Sequence, residues 1–543
     1  MKRSATLKKR RIHIFLFLIF LVGLTLRLYK LNDGLIFTYD QARDAYRSTQ
    51  IFTQKDFKIV GPETDIPGVH HGVGYYYLLA IPYALFQDPV AAASLIAVFN
   101  ALGIFLIFWA ANKFFGNLQT AVISSVLYAV SFEMVQYGKW LSNPSLAVLT
   151  VLLSFIGLWI WTTGNRRGFL LAMFGISLSL HFQLFLLYLF LVPIVIFLIY
   201  HPKISVKYII LGIIISIVID LPLIIAEIKF GFQTIHALGH FFSSQSNVYS
   251  SVTDFLIKYI DRFISVAYHT IFPLNSVFAF FAAVFIFYVV FKNQKGKREK
   301  NPLKFLILWL FSVIPLFAFS SGALGSEFSF VGVAICFILL TAYTLNYIWE
   351  EKKKSSLALI LLAILILVNL RFNLIHAKDG AYIFSIQKSM TYGIEKQILD
   401  YTYQEAKGEP FSICTLTNPL FINTTWAYLY ENYGKSKYKY LPFWAGPDQS
   451  SYLGNLPDDT SKPKLRFIIY EPLTGIAVTP VELFAKFEDF VSELVEVKTF
   501  AEFKVEKRLL VTDSEKSKKI APATSYDQNL LKDENYLQYH CFN

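Results

Sequence analysis

The stretch Phe37–Arg47 (FTYDQARDAYR) has residue types and spacing suited to acid–base and anion chemistry. Thr38 followed by Gln41 fits a capping box, which predicts a helix starting here. Asp40 then falls in the first turn, where exposed N–H groups and the helix dipole favour an ionised carboxylate. Asp40, Arg43, Asp44 and Arg47 stand at i, i+3, i+4 and i+7, so one face carries two carboxylates and two guanidiniums. An ionised carboxylate can take a proton from an acceptor hydroxyl. A guanidinium can bind a phosphate through two parallel N–H bonds. A solvated amphipathic helix with local ion pairs satisfies the same spacing.

Further along, Gly68–Tyr77 (GVHHGVGYYY) places His70 and His71 before a glycine-flanked turn and a tyrosine-rich segment opening at Tyr75. The histidines suit phosphate, but no third ligand stands near them for a metal. The chain has no CxxC or HExxH spacing. Other polar residues lie where polarity is expensive. Asp220 sits inside an apolar run, two residues before Pro222; Glu227 and Lys229 follow, and Glu327 opens a later run. Ionisable residues in such runs are candidates for function, and anchoring at a membrane boundary accounts for them equally well. Lys139 falls in a short connection between two apolar runs.

These residues need a scaffold, and the composition says which. The 543 residues are 55% hydrophobic and only 16% charged, against about 25% charged in ordinary soluble domains. Eleven apolar runs stand at 13–30, 89–111, 118–134, 145–162, 168–181, 184–200, 207–226, 270–291, 303–320, 328–349 and 356–374. Each is read as a membrane span, for which about 20 residues are needed. The shorter 73–86 reads as an interfacial or re-entrant helix. The formal charge of +12 does not indicate nucleic acid, because the basic residues sit in short loops between the runs rather than among exposed aromatics. With the N-terminus cytoplasmic, the inside loops hold Arg10, Arg11, Lys113, Arg166, Arg167, Lys203, Lys207 and Lys354, and Lys139 is the one basic residue in the short outside loops 135–144 and 321–327. An odd number of spans then puts the C-terminus outside.

The expected fold is therefore a polytopic α-helical membrane protein with an extracytoplasmic α/β domain. The membrane domain covers 1–376, with outer loops 31–72 and 227–269, and the soluble domain covers 377–543. Within the latter, 411–417 and 465–472 read as strands, 424–434 and 481–495 as helices, and 495–511 as strand-like. Cys414 and Cys541 are free to pair in an oxidising compartment; Cys336 lies in an apolar run.

The order of these features resembles the GT-C superfamily of polyprenyl-phosphate-sugar glycosyltransferases. The likeness is greatest to the bacterial branch with protein O-mannosyltransferases, aminoarabinose transferases and lipopolysaccharide galacturonosyltransferases. It rests on the basic tail, one span, the YDQAR of the long outer loop, the tyrosine-rich entry to a short helix, and the segments Lys113–Gly116 (KFFG), Tyr137–Pro144 (YGKWLSNP) and Pro222–Gly231 (PLIIAEIKFG). It covers about 1–375. The resemblance implies that Asp40 is the catalytic base and Arg43 binds the lipid phosphate, with Asp44 as a second carboxylate. His70 or His71 stands where the family usually has a lysine near the phosphate. Arg47, Tyr75, Lys139, Glu227, Lys229 and Glu327 complete the candidate substrate-binding set.

The function expected is transfer of a sugar from a polyprenyl-phosphate donor to a glycan, lipid or protein acceptor. It would occur on the outer side of an inner (plasma) membrane, by one inverting displacement. No cofactor is called for, and a divalent metal stays open. The alternative is a multi-pass transporter or flippase of a lipid-linked or envelope substrate, which predicts internal repeats and paired interrupted helices. A non-catalytic scaffold would leave the charged face of 40–47 without purpose.

Overall fold

A computed structural model describes residues 2–244, 251–293, 301–314, 330–351, 354–375, 383–384, 389–420, 422–446, 453–458, 463–472, 474, 478–521 and 541. The chain divides into two compact units. One holds Met1–Leu31, Ile51–Pro82 and Val90–Phe384; the other holds Asn32–Gln50, Tyr83–Pro89 and Ser385–Asn543. The charged stretch Asp40–Arg47 thus belongs to the same unit as the C-terminal region.

In the first unit every expected apolar run is mostly helical where described, with breaks such as those at Ser131, Asp220 and 271–275. Six helices are long and apolar enough to cross a membrane alone: α1 (Lys2–Leu28, apolar from Arg10), Pro89–Phe115, Pro144–Thr162, Ser276–Asn293, Val333–Glu350 and Ser355–Ile375. Two helix pairs are each a broken span or a re-entrant loop: Leu118–Val130 with Phe132–Lys139, bent by 53°, and Val206–Ile219 with Leu221–Lys229, bent by 62°. Three apolar helical segments are shorter, at Arg167–Leu180, Leu184–Tyr200 and Pro302–Phe311. The second of these begins as a 3₁₀ helix over Leu184–Leu191. The region 227–269, expected as a loop, contains helices at Gln233–Ser244 and Val252–Thr270.

The bend at Ser131 is supported by side chains from other helices. A broken helix frees backbone groups, and each one left unsatisfied in hydrocarbon costs several kcal/mol. Here they are met by side chains from other helices. Asn373 donates to the Val130 carbonyl at 2.8 Å, and the Phe132 N–H donates to Asn369 Oδ1 at 2.8 Å. Arg27 of α1, fully buried, donates to the Ala129 carbonyl at 3.1 Å and to Asn100 Oδ1 at 2.7 Å. Gly138 leaves room for it: a Cβ there would lie 2.7 Å from Arg27 Cγ.

The second unit contains a five-stranded sheet of order β2-β1-β3-β5-β4, from β1 (Phe411–Leu416), β2 (Phe443–Trp444), β3 (Leu465–Tyr470), β4 (Ser492–Phe500) and β5 (Phe503–Leu510). β1 is parallel to β2 and β3, and β5 runs antiparallel between β3 and β4. β1 is buried along its whole length, as a central parallel strand covered on both faces must be. One face packs Ile468 and Tyr470 on Phe484 of the helix Val478–Val491, with the Cys414–Cys541 disulfide joining the same cluster. The other packs Phe411 and Phe467 on Tyr403 and Tyr401 of the helix Tyr392–Ala406. The helix expected over 481–495 ends at Val491, because Val495, Val497 and Thr499 favour an extended chain and enter β4.

Candidate functional site

The helix α2 (Tyr39–Thr53) starts where the cap predicts. The Thr38 N–H and hydroxyl both donate to Gln41 Oε1, at 2.9 and 2.7 Å. This fixes the first turn and with it Asp40. The helix buries Ala42 and Ala45, and Tyr46 meets Tyr428 edge-on at 5.3 Å. Its entry is tied down as well, since Phe37 N–H donates to the Met390 carbonyl and Tyr392 N–H to the Leu35 carbonyl.

Arg43 joins both carboxylates. Its Nη1 lies 2.8 Å from Asp40 Oδ1, and its Nη2 and Nε each lie 2.9 Å from Asp44 Oδ1. The two acids differ in environment. The Asp44 side chain is 4% exposed and that of Asp40 is 61% exposed. The buried acid therefore orients the guanidinium, which also lies over the Tyr39 ring, and the exposed acid faces solvent beside a fixed cation. Arg47 reaches Gln50 Oε1 at 3.5 Å, a marginal bond.

The other candidates lie in the first unit. His70 pairs with Glu63 in an isolated β-bridge and His71 is buried. His71 Nδ1 accepts from the Leu184 N–H at 2.9 Å, so one ring nitrogen is taken by the backbone. The whole segment is pinned at 180–184. Gly72 N–H donates to the Leu180 carbonyl, and Gly74 N–H donates to His181 Nδ1 at 3.0 Å. His181 Nε2 in turn lies 2.8 Å from the Ile219 carbonyl, which sets the tautomer with its proton on Nε2. Asp220 follows at the bend, 3.9 Å from His181 Nε2. His181 was not singled out in the sequence. The tight glycines at 72 and 74 were its only local signal: at Gly72 a Cβ would meet His181 Cα at 2.7 Å.

Tyr75 is fully buried. Lys139 is not in a loop: it ends the helix Phe132–Lys139, is 3% exposed, and donates to the Tyr29 carbonyl at 2.8 Å. That helix also carries Glu133, another buried acid the sequence reading passed over, which accepts from the Thr270 hydroxyl at 2.6 Å. Glu227 accepts from Thr234 N–H at 3.3 Å, and Lys229 lies over the Phe230 ring and is exposed. Glu327 lies outside the described residues. No group of three or more His, Cys, Asp or Glu residues fit to hold a metal ion occurs among the described residues.

In the second unit burial raises four carboxyls above their ordinary range, Glu395, Glu431, Glu471 and Glu488. Desolvation pushes Glu471 up to about 7 even though Asn418 N–H and Trp426 Nε1 donate to it. Glu395 is raised well above the ordinary carboxylate range, by complete burial and then by the nearby Glu471. Glu488 is raised by burial despite its ion pair with Arg466 at 3.0 Å.

A multi-span helical unit joined to a small α/β unit defines a polytopic α-helical membrane protein. No protein-family model matches the chain, and no curated protein matches it significantly in sequence. Solved structures do. ArnT from Cupriavidus metallidurans in the apo state matches at TM-score 0.52 and 14% identity, over 92% of this chain and 98% of that one. The same protein bound to undecaprenyl phosphate matches at 0.52 and 14%, over 90% and 97%. An Archaeoglobus fulgidus oligosaccharyltransferase in the apo form matches more loosely, at 0.40 and 12%, over 81% and 66%. The fold is thus the one that the sequence resemblance implied.

Proposed function

We propose that this protein transfers a sugar from a polyprenyl-phosphate donor to an acceptor at the outer face of a plasma membrane, with Asp40 as base. One observation carries the proposal: an exposed carboxylate held 2.8 Å from a guanidinium that a buried second carboxylate orients, in the first turn of a capped helix. The likeness to an ArnT structure bound to undecaprenyl phosphate supports the donor class.

The chemistry follows from the charges. Without donor, Arg43 neutralises Asp40. A phosphate entering beside Arg43 competes for the guanidinium and leaves Asp40 as a free base. Asp40 then takes the proton of the acceptor hydroxyl or amine. The acceptor atom bonds to the anomeric carbon as the bond from that carbon to the phosphate oxygen breaks, and polyprenyl phosphate leaves with the electron pair. Attack from the face opposite the leaving group inverts the sugar carbon. Arg43 offsets the charge that grows on the phosphate.

The test is sugar release from a panel of polyprenyl-phosphate sugars by detergent-purified protein, wild type beside Asp40→Asn. Turnover lost only in the variant supports the base; equal turnover in both moves the base elsewhere. The two bent helix pairs are what a transporter reading would use. Donor movement across sealed liposomes without bond cleavage would favour that reading.

A further inference from the structure

β4 is the outer strand of its sheet, and among the described residues nothing pairs with its free edge. It is nine residues long and exposed over most of its length, with Leu494 at 50%, Val495 at 52% and Val497 at 47%. Long apolar edges recruit another strand, and proteins usually guard them with a lysine or a bulge. Both devices are present, yet both leave the edge usable. The bulge lies between Leu494 and Glu496, so Glu496–Phe500 stays regular. The lysine, Lys498, stands two residues from Glu496 on the same face, and Tyr401 lies between them. Tyr401 donates to Glu496 Oε2 at 3.2 Å, and Lys498 Nζ sits 4.3 Å over its ring. Neither charge has an ion-pair partner among the described residues.

We infer that β4 pairs antiparallel with β4 of a second copy of this chain, about a two-fold axis through Val497. Charge complementarity selects this occupant and this register. A two-fold axis perpendicular to the sheet keeps each face on its own side, so it must pass through a residue. At Glu496 or Lys498 it would stack like charges. At Val497 it sets Glu496 opposite Lys498 of the second copy, twice, within the regular part of the strand. Opposite charges directly across a strand pair stabilise it, and like charges oppose it. The pairing covers the apolar edge and joins two five-stranded sheets into one. It stands independently of the proposed activity.

The test uses the full-length protein in detergent. Light scattering, corrected for detergent, is expected to give twice the chain mass of 62.2 kDa. Val497→Cys should form a disulfide with its own copy under mild oxidant, because facing residues lie about 4.5–5.5 Å apart at Cα. Phe500→Cys should not, since six residues of strand separate it from its copy, about 20 Å. Mixing Glu496→Cys with Lys498→Cys, which face each other in this register, should restore the cross-link. Val497→Lys should return the mass to that of one chain; should it misfold, the cysteine comparison decides alone. A monomeric wild type overturns the inference, as does a dimer in which Val497→Cys cross-links no better than Phe500→Cys.

Discussion

Asp44 has two atoms of Arg43 on one of its oxygens and is almost wholly buried, so its work is to hold the guanidinium rather than to meet a substrate. Asp44→Asn should therefore loosen Arg43 while leaving Asp40 in place. Misplacing a binding group by about an ångström can lower turnover efficiency about a hundredfold. The expected loss in kcat/KM is about ten- to a hundredfold, carried mainly by KM for the lipid donor, whereas Asp40→Asn should act on kcat. Steady-state kinetics on both variants separates these outcomes. The spacing of the four charged residues was legible from the sequence, as was the cap that starts their helix. Which acid is buried was not, since that depends on what packs against α2.

Glu395 shows the same limit more sharply. In the sequence it is one more acid in an amphipathic helix; in the structure it is fully buried and neither oxygen has a hydrogen-bond partner among the described residues. Its folded pKa is raised, so ionisation is harder in the folded chain than in the unfolded one. Stability is then fully present below the unfolded value and falls as pH rises above it. Glu471 adds to the trend between its ordinary value of 4.5 and its folded value of about 7, a difference worth about 3 kcal/mol. Glu395→Gln removes one of the two acids. Its melting temperature should match wild type at pH 4 and exceed it increasingly toward pH 8, as read by heat denaturation in detergent. A constant difference across that range would show that Glu395 does not ionise differently in the two states.

Among the elements, the long spans were the easiest to read, because a run of about 20 apolar residues has few alternatives. The bends were not legible. Ser131 is not a strong helix breaker, and the groups that satisfy its freed backbone come from residues as distant as Arg27, Asn369 and Asn373. Arg27 was passed over because it sits at the end of its span, where basic anchors are ordinary. Its burial gives it a different task. Arg27→Leu would strand the Ala129 carbonyl and Asn100 Oδ1, at a cost of about 3 kcal/mol or more. Arg27→Lys keeps the charge but supplies fewer, differently placed donors, so it should recover only part of the loss. Thermal unfolding of the purified variants would check the ranking. Equal stability of all three proteins would mean that the bend does not depend on this residue.

For the whole molecule, the remaining question is which way it faces, and the structure sharpens the charge argument. Arg10, Arg11, Lys113, Arg166, Arg167, Lys203, Lys207 and Lys354 are all exposed. Arg166, Lys203 and Lys354 lie in connections between apolar helices, and Arg10, Arg11, Lys113, Arg167 and Lys207 lie within helices. The one basic residue expected in the connection 135–144 on the opposite side, Lys139, is buried in a helix and bonded to a backbone carbonyl. It no longer counts as a loop charge. The bias therefore has no exposed exception in that connection, and basic loops stay on the cytoplasmic side. The Cys414–Cys541 disulfide agrees, since such bonds persist in oxidising compartments. The prediction is a cytoplasmic N-terminus and an exported C-terminal unit. In intact spheroplasts, protease should remove a C-terminal tag and spare an N-terminal one. A membrane-impermeant thiol reagent should label Cys414 and Cys541 from outside only after reduction. The reverse pattern of tag cleavage would place the Asp40–Arg43 pair, which belongs to the same unit as the C-terminal region, on the cytoplasmic side, and would require a donor presented from there.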